Sequence, residues 1–112
     1  MTTKCERAWA SIPMQAWLLD AWLEFANDKK KEQRRVLETF VEEFIERKSE
    51  YEPDRHVVFY ASSRNANGRS VQIDKALYER TEKFAKMHDT RVNRVLMTAL
   101  VEGLRRRRRI KI

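Results

Sequence analysis

Residues 18–45 recur, without a gap, as residues 77–104. A constant shift of 59 places Leu18 on Leu77, Phe25-Ala26 on Phe84-Ala85, Arg35-Val36-Leu37 on Arg94-Val95-Leu96, Thr39 on Thr98 and Glu43 on Glu102. Any two amphipathic helices share some apolar positions. Eight identities in 28 aligned positions, including Arg-Val-Leu-x-Thr and the same apolar phase throughout, exceed that background and read as an internal duplication. Each copy amounts to two helices behind a short strand. A unit of about 36 residues cannot enclose a core alone, so the two copies are expected to bury their apolar faces against each other.

The local patterns fill in the elements. In residues 6–13, Ala8, Ala10 and Ile12 share one parity and Arg7, Trp9 and Ser11 the other, which predicts a strand. Pro13 is expected to end it and to open a helix. From Met14 to about Asn27 the apolar residues Leu18, Ala21, Trp22, Phe25 and Ala26 recur at helical spacing. The next helix carries Val36, Leu37, Phe40, Val41, Phe44 and Ile45 on one face, with Arg34, Arg35, Glu38, Glu42, Glu43 and Glu46 opposite. Residues 46–55 are charged, contain Pro53 and read as linker. Residues 56–62 are β-rich in composition and either pair with the following strand or lie extended over the core. Residues 65–68 are a turn signal. Residues 69–73 alternate as a strand. Leu77, Thr81, Phe84, Ala85 and His88 line one helix, and Val92, Val95, Leu96, Ala99, Leu100 and Leu104 the last, with Thr90 as its N-cap. The strands align better at a shift of 61, Ile12 on Ile73, which leaves side-chain parity unchanged. The expected fold is mainly α with a short antiparallel β-ribbon, in the order β-α-α-linker-β-α-α. The first copy spans 1–48, the linker 49–68, and the second copy with its basic tail 69–112.

Charge narrows the function. Residues 1–56 hold 10 Lys/Arg against 12 Asp/Glu, whereas residues 57–112 hold 14 against 5, so the formal net charge of +7 sits entirely in the second half. A basic half points to a polyanion, nucleic acid first. The single cysteine, Cys5, cannot form an internal disulfide, which fits a reducing cytoplasm or a fold with no use for disulfides. The opening residues lack an apolar signal core, and the apolar stretch 16–23 is too short to span a bilayer. His56 and His88 lack partners at ligand spacing, and there is no Gly-rich phosphate loop, paired-carboxylate signature or nucleophile motif. The chain is therefore expected to be no enzyme and to use no metal or cofactor. Trp17, Trp22, Phe25, Phe40 and Phe44 are expected in the core.

Several stretches together carry a resemblance: Val71-Gln72-Ile73-Asp74-Lys75-Ala76-Leu77-Tyr78-Glu79-Arg80, Phe84-Ala85, Thr90-Arg91-Val92-Asn93-Arg94-Val95-Leu96 and Ala99-Leu100-Val101-Glu102-Gly103-Leu104. Together they resemble a ribbon-helix-helix domain of the MetJ/Arc superfamily, and residues 7–48 resemble it more weakly. The resemblance implies an intertwined pair of units whose strands form an antiparallel ribbon in the DNA major groove, with the N-terminal ends of the second helices on phosphates. Two copies in one chain would form a monomeric pseudo-dimer with unlike halves.

Elementary recognition chemistry assigns roles within that frame. A major groove accepts a two-stranded ribbon. Val71 and Ile73 should face the helices, leaving Ser70 and Gln72 outward; Gln pairs with adenine in bidentate fashion and Ser reads either base type. On the first strand Arg7 and Ser11 face outward, with Arg7 suited to guanine. Trp9 departs from the small polar residue expected there, with the linker as an alternative surface to stack on. Arg69, at the strand's mouth, is expected on phosphate. So are Thr90, Arg91, Asn93 and Arg94 around the start of the last helix. Lys31, Arg34 and Arg35 are their first-copy counterparts beside Glu32. The run Arg105, Arg106, Arg107, Arg108 and Arg109 exceeds what a helix dipole needs and is also expected on phosphate. The expected function is sequence-specific binding of double-stranded DNA by a cytoplasmic, nucleoid-associated transcriptional repressor or autoregulator. The first alternative is an accessory DNA-binding protein of a plasmid-transfer relaxosome. The second is a protein-binding adaptor acting through the acidic first copy.

Overall fold

The computed structural model describes residues 6–51 and 67–110. It is mainly helical, with four helices and one two-stranded antiparallel sheet. In chain order the elements are β1 (Arg7–Met14), α1 (Ala16–Asp28), α2 (Gln33–Tyr51), β2 (Asn67–Asp74), α3 (Lys75–Met87) and α4 (Val92–Arg106). Residues 56–62, for which a strand was one reading, lie outside the described residues.

The two strands come from distant parts of the chain and pair with each other along their whole length. Arg7 stands opposite Asp74, Trp9 opposite Gln72, Ser11 opposite Ser70 and Pro13 opposite Gly68. Directly opposed residues share a face. One face therefore carries Trp9, Gln72, Ser11 and Ser70, and the other carries Ile12 and Ile73, both fully buried. Two boundaries differ from the sequence expectation. Pro13 does not end β1, which runs through Met14. Each strand of a two-stranded ribbon is an edge, where a residue without an N–H is tolerated. Asn67 and Gly68 are strand, not turn, and a Cβ at Gly68 would stand 3.1 Å from Ser11 Oγ. Helix α2 also continues through residues 46–51, which the charge pattern had marked as linker.

Both helical pairs turn in the same way without glycine. Lys30 and Asp89 adopt positive φ, 53° and 52°. The Lys31 N–H donates to the Ala26 carbonyl and the Thr90 N–H to the Ala85 carbonyl, each at 2.9 Å. These are Schellman closures, in which the first helix's last carbonyls find donors and the chain is released toward the next helix. A left-handed residue with a Cβ costs about 1–2 kcal/mol, part of which glycine returns through its greater freedom in the unfolded chain. Asp89→Gly is accordingly expected to stabilise the fold by about 0.5–1 kcal/mol, read as a raised urea midpoint at unchanged slope.

The core lies behind the ribbon. Buried residues on α1 are Leu18, Trp22, Phe25 and Ala26, and on α3 they are Leu77, Thr81, Phe84 and Ala85, four positions each at the shift of 59. The central crossing is α2 on α4, where Phe40 packs on Gly103. Glu43 binds Arg107 (Nη2–Oε1 2.8 Å), and Glu102, the residue 59 positions on from Glu43, binds Arg47. Trp17 is half exposed and not core, and its N–H donates to the Gln15 side chain. No helix among the described residues is long and apolar enough to cross a membrane.

Candidate nucleic-acid interface

The outer face of the ribbon gathers four of the residues singled out from sequence. Arg7, Ser11 and Ser70 are exposed, and Gln72 is half-buried. Strand pairing sets this arrangement: with the register fixed by Ile12 and Ile73 on the core side, period-2 alternation puts these four on the other. The ribbon's start is tied down at one corner. The Lys75 N–H donates to the Glu6 carbonyl at 2.9 Å, and Lys75 Nζ pairs with Glu6 Oε2 at 3.2 Å. Hydrogen bonding and charge from Glu6, with a further contribution from Glu79, raise the Lys75 pKa above its ordinary value.

Two clefts flank the ribbon, each beside the start of a second helix. The first, of about 430 Å³, is lined by Pro13 of β1 together with Asp89, Thr90, Arg91, Asn93, Arg94 and Met97. The expected Thr90 cap is not made. Arg91 is the N-cap residue, without a side-chain cap, and α4 begins at Val92. The Schellman closure commits the Thr90 backbone to Ala85, one residue too early for its hydroxyl to act as cap. Thr90 Oγ1 and Asn93 Oδ1 are buried and have no hydrogen-bond partner among the described residues. Arg91 and Arg94 are exposed. The helix start thus offers uncapped N–H groups, two arginines and the Thr90 hydroxyl as a donor, with the Asp89 carboxylate as the one opposing charge among the lining residues.

The second cleft, of about 250 Å³, is lined by Trp9, Trp22, Gln33, Arg34, Arg69, Ser70, Val71 and Gln72. Its basic residues are differently disposed. Arg34 is held by Glu38 at 3.2 Å and lies 3.6 Å from Glu32, whereas Arg35, itself 3.9 Å from Glu38, and Lys31 and Arg69 are exposed. Glu38 is only 7% exposed, contrary to its placement on the solvent face from sequence. It also accepts the Asp74 backbone N–H at 2.7 Å. Residue 97, its counterpart at the shift of 59, is a buried methionine. No sequence signal marked Glu38, because its partner Asp74 lies 36 residues away.

The arginine tail divides. Arg107 grips Glu43 with both terminal nitrogens and lies 4.6 Å from the Phe40 ring centroid. Arg109 pairs with Asp28 at 2.6 Å and lies over Phe25 at 5.3 Å. Lys29 sits over the same Phe25 ring at 6.0 Å. Lys29, the C-cap of α1, and Arg109 of the tail thus meet over one ring. Arg105, Arg106 and Arg108 are exposed. Among the described residues no cluster of His, Cys, Asp and Glu could hold a metal ion. No family model, no curated protein and no solved structure matches the chain.

Proposed function

We propose that the chain is a tandem ribbon-helix-helix pseudo-dimer that binds double-stranded DNA, laying the β1–β2 ribbon in the major groove and acting as a transcriptional repressor or autoregulator. The observation that carries this reading is the pairing of residues 7–14 with 67–74, which turns Arg7, Ser11, Ser70 and Gln72 to one solvent face. A ribbon of this width fits a major groove, and these side chains are of the types that read base edges. The buried positions and helix closures recurring at the shift of 59 support two copies paired within one chain. The flanking clefts supply phosphate contacts: Thr90, Arg91, Asn93 and Arg94 on one side, Lys31, Arg35 and Arg69 on the other, with Arg34 held back by its carboxylates. Arg105, Arg106 and Arg108 extend the basic surface at the end of α4, while Arg107 and Arg109 hold the tail against the body. The unlike clefts favour an operator without two-fold symmetry, since symmetric dimers match palindromes. The same asymmetry supports a second reading, an accessory protein marking an origin in a plasmid-transfer complex.

Gln72→Ala tests the reading. On a duplex selected by the wild-type chain it is expected to cost about 1–3 kcal/mol and to relax preference at one base pair, while binding to unrelated duplex is unchanged. Intact specificity in this variant would remove the ribbon as the reader.

A further inference from the structure

We propose that Trp9 is a base-reading residue whose indole takes the 5-methyl group of a thymine in the major groove, beside the adenine-directed Gln72; this rests on the duplex reading above. The three tryptophans of the chain are not equivalent. Trp22 is buried and donates its N–H to the Gln33 carbonyl at 3.0 Å, and Trp17 donates to the Gln15 side chain. Trp9 is 67% exposed. It projects from a strand whose register is fixed, not from a loop, and it stands directly opposite Gln72 on the ribbon's outer face. Indole and carboxamide line the same cleft with Arg69 and Ser70.

The surroundings select the occupant. Arg7 and Ser11 flank Trp9 on the outer face of β1, Arg69 lies across the cleft, and the chain carries a net charge of +7. A polyanion answers that charge, whereas an apolar protein surface would strand those polar groups. On the floor of the groove, thymine alone among the four bases presents an apolar methyl. Indole has one donor and no acceptor, so it cannot form the bidentate pairs by which other bases are told apart. Its discriminating contact is therefore apolar. A side chain with two rotatable bonds on a paired strand also loses little freedom on binding. Trp9 and Gln72 would then act as a cross-strand pair on A·T-containing sequence, the amide on adenine and the ring on a thymine methyl.

The test uses a duplex selected by the full-length protein, with each thymidine replaced in turn by deoxyuridine, which removes only the methyl group. One replacement is expected to weaken wild-type binding about 4-fold, the effect of burying a single methyl. Trp9→Ala should weaken binding to the thymidine duplex at least as much and abolish the penalty for deoxyuridine. Trp9→Phe and Gln72→Ala should both retain that penalty. The exposed position predicts an unchanged thermal midpoint for Trp9→Ala, so that folding and reading are separated. The inference is overturned if no deoxyuridine matters to the wild type, or if Trp9→Ala keeps the full penalty. It is equally overturned if the substitution leaves duplex binding intact and instead changes self-association in sedimentation. In those outcomes the duplex reading survives; failure of the wild type to select any duplex would overturn both.

Discussion

Gly103→Ala is expected to destabilise the protein by about 1–3 kcal/mol, although alanine favours a helix interior over glycine by about 1 kcal/mol. A Cβ at this position would stand 2.4 Å from Cγ of Phe40 and within 2.7 Å of both neighbouring ring carbons. Those are the inner atoms of a stiff side chain that is itself buried, so the ring cannot swing aside without disturbing the α2–α4 crossing. Overlap therefore outweighs propensity. Phe40→Ala is expected to cost more, about 3–5 kcal/mol, through lost burial and the cavity left behind. In that background Gly103→Ala should become neutral or stabilising by up to about 1 kcal/mol, because only the helix propensity remains. Urea titration of the four proteins reads the cycle. Additive losses would mean that Phe40 and Gly103 are not in contact.

Glu38→Ala is expected to lose about 3 kcal/mol. The carboxylate ties α2 to β2: it lies on α2, accepts the backbone N–H of Asp74 at the end of β2, and holds Arg34 one turn back on its own helix. Asp74 in turn caps α3, its side chain accepting the Leu77 N–H at 3.2 Å. Truncation leaves the Asp74 backbone donor without a partner and the half-buried Arg34 guanidinium with only Glu32, at 3.6 Å, and that loss, more than the value of the pair itself, sets the cost. Glu38→Gln keeps an acceptor for Asp74 and should lose markedly less. Glu38→Ala also removes the nearer of the two carboxylates on Arg34, beside the second cleft, so its binding to non-specific duplex should steepen in salt dependence even as stability falls. A Glu38→Ala protein as stable as the wild type would refute the bridging role.

Much of this architecture was legible because it is written in periodicities. Alternation in Ala8, Ala10 and Ile12 against Val71 and Ile73 gave both strands and their inner face. Helical spacing of Leu18, Trp22, Phe25 and Ala26, and of their counterparts from Leu77 to Ala85, gave the core side of α1 and α3. What was missed depends on contacts that no local window contains. Glu38 looked solvent-facing because its pairing with Arg34 on the same helix reads as an ordinary surface pair, while the Asp74 N–H that it accepts lies on β2. Arg107 and Arg109 looked like free tail charges because Glu43 and Asp28 lie 64 and 81 residues away. Thr90 has the chemistry of a cap, but the closure at Asp89 shifts the helix start past it. Trp17 fits the apolar count of α1 yet falls off its buried stripe. At the candidate interface, outward parity placed Arg7, Ser11, Ser70 and Gln72 together. Parity alone could not tell that Arg34 is held by carboxylates while Arg91 and Arg94 are exposed.

In the proposed complex, strands from the two halves of one chain form a single reading surface for duplex DNA. Selection of bound duplexes from a random pool by the full-length protein is the decisive experiment. One short site with unlike halves should be enriched, and its recovery should drop when Gln72 is replaced by alanine. A pool that emerges from repeated rounds with no enriched sequence would contradict it.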